Sequence, residues 1–330
     1  MTKKELINQY RNTDAVNYSL LSKLQRDPSS ALIKYESSKE QILGSIVDVL
    51  ITGSLKEFEE EFHIITASRP GDKMGIWLDR YLELTNEKMF VDDMILKARA
   101  DVGYNLSLKE ETALVLFKKE TTGFINELII AGDKTIITRE QRDIADNIYR
   151  AIKYGEFTKE LFIDDTGIEI LYQFPIYWKY NNIDCKCLFD MIIVDHNIRT
   201  ITPYDIKTTS DNVYSFPSSF IKWNYDIQSS FYSEGLSEYI NNVPELKYYN
   251  INPFKFVVCE TFTKNPAIIF EPCQRDIYIA KMGGTTTKGY ERPGWDQLIN
   301  DYIWHKEHNY WASPRKVKEA NGIIPLEIYE

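Results

Sequence analysis

The feature that most constrains the fold is a change of hydrophobic period in the middle of the chain. A capping box, TREQ at residues 138–141, predicts a helix that runs to about Lys153. Beyond it, short β-rich runs alternate with turn residues: IEILYQFPIYWKY, CKCLFDMIIVD, RTITPYDIK and FKFVVCETF. A helical segment, KWNYDIQSSFYSEGLSEYI, separates the third run from the fourth. The pattern predicts an α/β fold with a mixed β-sheet core flanked by helices.

We expect three parts along the chain. Residues 1–137 form a helical N-terminal region, residues 138–282 form the sheet-containing core, and residues 283–330 form a C-terminal loop, beginning GGTTTKG, and a helix. Residues 18–66 have helical spacing, and the apolar run EQILGSIVDVLITG within them carries an acid, Asp48. The segment 68–105 is less patterned, which favours a mobile region.

The composition indicates a soluble globular protein, with 43% hydrophobic and 27% charged residues. No signal peptide and no run of about eighteen apolar residues is recognisable, so we expect no membrane partner. The four cysteines have neither disulfide-scaffold nor C-x-x-C spacing, which favours a reducing, cytoplasmic location. A net charge of -10 argues against non-specific coating of a polyanion, although metal ions held by acids can reverse the charge of one groove.

Three charged residues are predicted to meet at one edge of the sheet. Asp190 ends one strand, a turn follows, and Asp205 and Lys207 lie on the next strand with side chains on the same face. Two carboxylates and the backbone carbonyl of Ile206 are the hard oxygen ligands that Mg²⁺, or Mn²⁺ in its place, prefers. A lysine beside such an ion can orient or deprotonate a water, or stabilise charge on a phosphate. The group is therefore a candidate phosphodiesterase centre.

The D-x-K spacing alone has little weight. Asp184 with Lys186 and Glu245 with Lys247 match it too, and an ion pair across the sheet is a sufficient explanation for Asp205 and Lys207. The following helix adds support, because Gln228 and Tyr232 share one of its faces. An amide that bonds a phosphate or a base, and a ring that stacks, would together hold a nucleic-acid strand, although a surface amide and a half-buried tyrosine are common.

The ordered motifs D190, DIK and QSSFY resemble the PD-(D/E)XK nuclease superfamily, and the Q-x-x-x-Y helix resembles its RecB/RecE-like branch. The likeness to RecE-type phage exonucleases extends over nearly the whole chain, through NYSLLSKLQRDPSS, LGSIVDVLITGSLKEFEEEF, IYWKYNNIDCKCLFD and FKFVVCETFTKNPAIIF. The resemblance implies a restriction-endonuclease-like fold. It further implies metal binding by Asp190 and Asp205, catalysis by these acids with Lys207, and nucleic-acid contact by Gln228 and Tyr232.

Two positions depart from the pattern of that branch. Asp48 stands where a metal-binding histidine is usual, and an acid on an apolar helix face would be compensated by a divalent cation or simply by a lysine. Gln173 stands where a glutamate is usual, with Glu169 four residues earlier. A neutral amide there implies weaker metal binding or a different number of ions, unless Glu169 reaches the site in a shifted register.

The resemblance leads to one main hypothesis and two alternatives. The first is a metal-dependent DNA exonuclease acting on linear duplex ends, in phage-type recombination or DNA processing in a bacterial host. Such an enzyme could work with a single-strand annealing recombinase and as a ring-shaped homo-oligomer. The alternatives are an endonuclease or single-strand trimming nuclease of the same clan, and a catalytically weakened DNA-binding protein.

Overall fold

A computed structural model describes residues 3–33, 38–87, 89–285 and 291–323. Its helices are α1 Lys3–Asn12, α2 Tyr18–Arg26, α3 Lys39–Thr52, α4 Leu55–Glu61, α5 Asp72–Leu84, α6 Val91–Val102, α7 Glu110–Ala131, α8 Arg139–Lys153, α9 Phe216–Lys222, α10 Tyr225–Asn241, α11 Gln274–Met282, α12 Trp295–His308 and α13 Arg315–Glu319. Its strands are β1 Phe62–Ile65, β2 Thr135–Thr138, β3 Ile168–Tyr180, β4 Ile183–Asp195, β5 Thr200–Thr209, β6 Asn250–Ile251, β7 Lys255–Glu260, β8 Ile268–Phe270, β9 Gly284–Thr285 and β10 Glu291–Arg292. Residues 286–290 of the expected C-terminal loop, and the tail 324–330, lie outside the described residues.

The chain divides into two compact units. One contains Met1–Gly53 together with Ala145–Glu330, and the other contains Ser54–Ile144. The division differs from the expected boundary after residue 137, because α2 and α3 pack against elements of the sheet-containing unit instead of joining the other N-terminal helices. The acid of α3, Asp48, therefore belongs to the same unit as the sheet.

The large sheet lies in the first unit, with strand order β3-β4-β5-β7-β8 and with β6 beside β5. β3, β4 and β5 pair antiparallel, β5 and β7 pair parallel, and β8 returns antiparallel to β7. The parallel step requires a crossover, which α9 and α10 supply. The prediction of a mixed sheet flanked by helices is confirmed.

Helix α10 packs against β3 and β4, and α3 packs against β4 and β5. Gly235 allows α10 to approach β3 closely, since a Cβ atom at this position would lie 2.6 Å from the ring of Trp178. Aromatic side chains fill the space beneath α10, among them Phe231, Phe256 and Trp295. Burial of this apolar surface fixes both the helix and the strands that carry the charged residues.

Capping boxes define where two of the helices begin. The side chains of Thr138 and Gln141 exchange hydrogen bonds with each other's backbone N–H groups, as TREQ predicts. Ser38 and Gln41 do the same ahead of α3. These bonds satisfy N–H groups that have no partner within the helix.

The second unit is helical apart from the short parallel pair β1 and β2. Its core forms where α5, α6 and α7 pack around Trp77, whose indole N–H donates to the carbonyl of Ile95 at 2.8 Å. Arg99 is buried and donates to three carbonyl oxygens of the turn that follows α6. The less patterned segment 68–105 contains α5 and α6, and its mobility stays a prediction. None of the helices in the described ranges has the length and apolar character that crossing a bilayer requires.

Candidate active site

Gln173, Asp190 and Asp205 lie in one row across three neighbouring strands. β3 and β4 stay in register on either side of Gln173 and Asp190, so these two residues face each other. Pairing between β4 and β5 ends at Met191 and Tyr204, one residue short of Asp190 and Asp205. The two strands therefore separate at the row that carries the carboxylates.

The carboxylate of Asp190 bridges the gap between the strands. Its Oδ2 accepts a hydrogen bond from the backbone N–H of Ile206 at 2.8 Å, and its Oδ1 accepts one from Gln173 Nε2 at 3.3 Å. The Ile206 N–H, no longer part of a ladder between β4 and β5, thus finds a side-chain partner. Gln173 has a φ of 47°, in the left-handed region, which marks a local distortion of β3 at this row.

Asp190 is an acid whose ionised form is disfavoured. Burial, and then the neighbouring charge of Asp205, raise its pKa to about 7, against the opposing effects of Lys207, the Ile206 N–H and Gln173. The site thus concentrates negative charge beyond what its own hydrogen bonds compensate. A cation would relieve this repulsion.

Asp205 is 3% exposed and has a partner on each oxygen. Lys207 Nζ lies 2.5 Å from its Oδ2, and Gln228 Nε2 donates to its Oδ1 at 2.6 Å. Lys207 also lies over the ring of Tyr225, 4.9 Å from the centroid. The lysine is therefore fixed between a carboxylate and an aromatic face.

Lys207 remains a cation in this environment. Burial lowers the pKa of its ammonium group, but Asp205, Tyr225 and Asp190 together raise that pKa above its ordinary value. A lysine held in the charged form can stabilise negative charge on a phosphate, but it cannot act as a general base near neutral pH.

Gln228 and Tyr232 do not lie where a nucleic-acid strand could contact them as predicted. Gln228 is 4% exposed and its amide is directed at Asp205. The ring of Tyr232 is 7% exposed and packs edge-to-face against Phe189 and Phe254. The prediction of base stacking on Tyr232 is wrong, because helical spacing shows that two residues share a face but not that the face is covered by the sheet.

Asp48 approaches the same group of charges from α3. Its pKa is raised well above the ordinary value by burial and by Asp190 and Asp205, while Lys207 and Lys3 oppose the rise. Two acids and two lysines thus act on Asp48, and its compensation by a cation or by a lysine stays a prediction. Asp48 thus adds a further carboxylate to the electrostatics of the site.

Glu169 lies apart from this group. Its carboxylate is half exposed and lies 3.3 Å from His196 Nε2, at the beginning of β3. Gln173 follows Glu169 by four positions, which is about 13 Å along the strand. The structure keeps Gln173, and not Glu169, opposite Asp190.

Asp190, Asp205 and the carbonyl oxygen of Ile206 are the hard oxygen ligands in this group that could hold a magnesium ion. Within the described ranges, no three His, Cys, Asp or Glu side chains converge closely enough to hold an ion by themselves. Mg²⁺, however, is usually bound by one or two carboxylates together with waters and substrate phosphate oxygens. The raised pKa of Asp190 and of Asp48 reflects burial and the neighbouring carboxylates, whose negative charge a bound cation would offset.

Sequence reasoning overlooked two aromatic residues beside Lys207. Tyr225 is three residues before Gln228 and so lies on the same face of α10, a spacing that could have revealed it. The partly buried Tyr18 on α2 donates its hydroxyl hydrogen to the carbonyl of Trp223. Burial raises the pKa of Tyr18 most strongly, and the charge of Lys207 lowers it. No pattern in the sequence brings α2 to this place.

Comparison with solved structures finds a crystal structure named "Putative exonuclease" from Eubacterium rectale, with a TM-score of 0.50 and 11% sequence identity. The match covers 100% of this chain and 96% of that chain. No family model matches the chain, and no curated protein is similar enough in sequence to match. At this level of identity the comparison establishes the fold: the chain has the mixed α/β architecture of that protein over essentially its full length.

Proposed function

We propose that this chain is a metal-dependent deoxyribonuclease of the PD-(D/E)XK type that degrades linear duplex DNA from its ends. The observation that carries the proposal is the group of Asp190, Asp205 and Lys207 at the row where β4 and β5 separate. Such a group is suited to hydrolysis of a phosphodiester. The exonuclease name of the structurally similar protein supports the same assignment.

Each residue of the group has a distinct task in the proposed reaction. Lys207, held cationic, stabilises the negative charge that develops on the phosphate oxygens as a water attacks phosphorus. Gln228 holds Asp205 in position from the side opposite Lys207. Gln173 and the Ile206 N–H fix both oxygens of Asp190.

A divalent cation would be held by Asp190, Asp205 and the carbonyl oxygen of Ile206, with Asp48 nearby. When bound, it would supply activation of the attacking water and neutralisation of charge at the phosphate. These oxygens lie inside β4 and β5, at the row where pairing between the two strands has ended.

A catalytically weakened DNA-binding protein is the second candidate, and Gln173 is the observation that favours it. An amide contributes no negative charge opposite Asp190, so it supports a cation less strongly than a carboxylate would. Cleavage that requires Mn²⁺ or high metal concentration would agree with a weakened site. Binding without any cleavage would establish the second candidate.

The test is digestion of end-labelled linear duplex, nicked circular duplex and single strand side by side, with Mg²⁺, with Mn²⁺ and with a chelator. We expect degradation of the linear duplex alone, dependent on the metal and lost in Lys207→Ala. Equal activity in this variant, or in chelator, would overturn the proposal. Cleavage of the intact part of the nicked circle would indicate an endonuclease instead.

A further inference from the structure

An exposed tryptophan with two cations on its ring lies between α9 and α10. The side chain of Trp223 is 41% exposed. The guanidinium carbon of Arg26 lies 5.1 Å from the ring centroid, and Lys222 Nζ lies 4.8 Å from it. Arg26 and Lys222 are themselves exposed. We call Trp223, Arg26 and Lys222 the aromatic platform.

The backbone of the platform is held firmly. Tyr18 donates its hydroxyl hydrogen to the carbonyl of Trp223. The next residue, Asn224, has a φ of 62° and is buried, and its side chain donates to Ser22 and accepts from Arg292. A ring on such a fixed turn loses little conformational freedom when a ligand binds.

The platform lies close to the candidate active site. Tyr225, over whose ring Lys207 lies at 4.9 Å, is only two residues beyond Trp223. Two residues span at most about 7.6 Å between Cα atoms. Successive nucleotides of a stacked strand are about 3.4 Å apart, so the platform is a few nucleotides from a phosphate held at Lys207.

We propose that the aromatic platform binds the DNA strand next to the cleaved phosphate, with one base stacked on Trp223 and with Arg26 and Lys222 on the flanking phosphates. The proposal rests on the nuclease function proposed above. A base stacked on an aromatic side chain is a stronger contact than a solvent-exposed cation–π pair, so a base can displace either cation from the ring. The displaced cations then gain charge-assisted bonds to phosphate oxygens.

A nucleic acid fits this surface better than an apolar protein segment does. The platform offers one flat ring between positive charges, on a chain whose net charge is -10. Stacking with paired cations is how sequence-tolerant single-strand sites are built. In this proposal Trp223, whose ring is exposed, has the base-stacking role that was predicted for Tyr232.

The test measures binding of a labelled single-stranded oligonucleotide by fluorescence anisotropy in chelator, where no turnover is needed. We expect Trp223→Ala to raise the Kd at least about fivefold and Trp223→Phe to retain most of the affinity. Tyr248→Ala is the matched control, since this ring is 79% exposed, and it should leave the Kd unchanged. Arg26→Ala and Lys222→Ala should each reduce the slope of log Kd against log salt by about 0.7.

Oligonucleotides with one abasic site, moved along the strand, locate the stacked base. At one position of the abasic site, the losses of binding free energy from the abasic site and from Trp223→Ala should not add, because each change removes the same stacking contact. If the wild type binds and cleaves DNA but Trp223→Ala equals it at every position, the platform is refuted and the nuclease stands. If the wild type neither binds nor cleaves DNA, both proposals fail.

Discussion

Replacing Asp190 by asparagine should stabilise the metal-free protein at pH 8. The variant keeps the shape of the side chain, and the carboxamide oxygen can still accept from the Ile206 N–H. Its NH₂ group would face Gln173, whose amide can rotate to present its oxygen. The substitution therefore removes a negative charge without leaving an unpaired group.

The magnitude follows from the pKa of Asp190, which rises from 3.8 to about 7 on folding. A shift of about 3 units corresponds to about 4 kcal/mol, and partial exposure reduces this to about 2 kcal/mol. Between these pKa values the folded state binds more protons than the unfolded state, so wild-type stability falls as pH rises from about 4 to about 7. The free energy of unfolding of Asp190→Asn should lack this decline.

Urea unfolding in chelator at pH 4.5 and pH 8 measures the effect. We expect a gap of about 2 kcal/mol in favour of Asp190→Asn at pH 8 and little difference at pH 4.5. Mg²⁺ should then stabilise the wild type alone, by about 2.7 kcal/mol at a hundredfold excess over its Kd. A variant less stable than the wild type at pH 8 in chelator would refute the electrostatic reasoning.

Other substitutions test the neighbouring contacts. Gln173→Glu places a third acid in the row, so it should lower stability in chelator and tighten Mn²⁺ binding measured by calorimetry. Unchanged Mn²⁺ affinity would show that Gln173 does not weaken metal binding. Gln228→Ala leaves Asp205 Oδ1 without its donor and should cost about 1.5–3 kcal/mol of stability, with loss of cleavage; unfolding midpoints equal to wild type would contradict the assigned bond. Tyr232→Phe should leave DNA affinity unchanged, because the ring is buried; a large rise in Kd would restore its predicted role in binding.

Much of the fold could be predicted because hydrophobic period and turn residues are read from short stretches of the sequence. The strands β3, β4 and β5 and the helix α10 follow from period and turn residues, and the order of acids on them brings Asp190, Asp205 and Lys207 together. The sequence could not show where pairing between β4 and β5 ends. The left-handed φ of Gln173 in the same row has no signature in the sequence of β3 either.

The errors arise from tertiary packing that no local pattern reports. In β4 the core-facing residues change phase across Asp190, from Phe189 to Ile192, so simple alternation does not describe both halves of the strand. Tyr232 has the spacing of a contact residue but lies against the sheet. Trp223 belongs to no periodic pattern in the sequence. It becomes a candidate nucleic-acid contact only because Arg26, which is far away in the sequence, lies beside its ring in the fold.

The most direct test of the proposed centre compares two aspartates that share the D-x-K spacing. Asp205 is buried against Lys207, whereas Asp184 is exposed and forms an ion pair with Lys179 at 2.8 Å. Initial rates of linear-duplex digestion in Mg²⁺ should fall by at least about a hundredfold in Asp205→Asn and stay at the wild-type value in Asp184→Asn. Equal rates for Asp205→Asn and the wild type would show that the chemistry, if any, lies elsewhere on the protein.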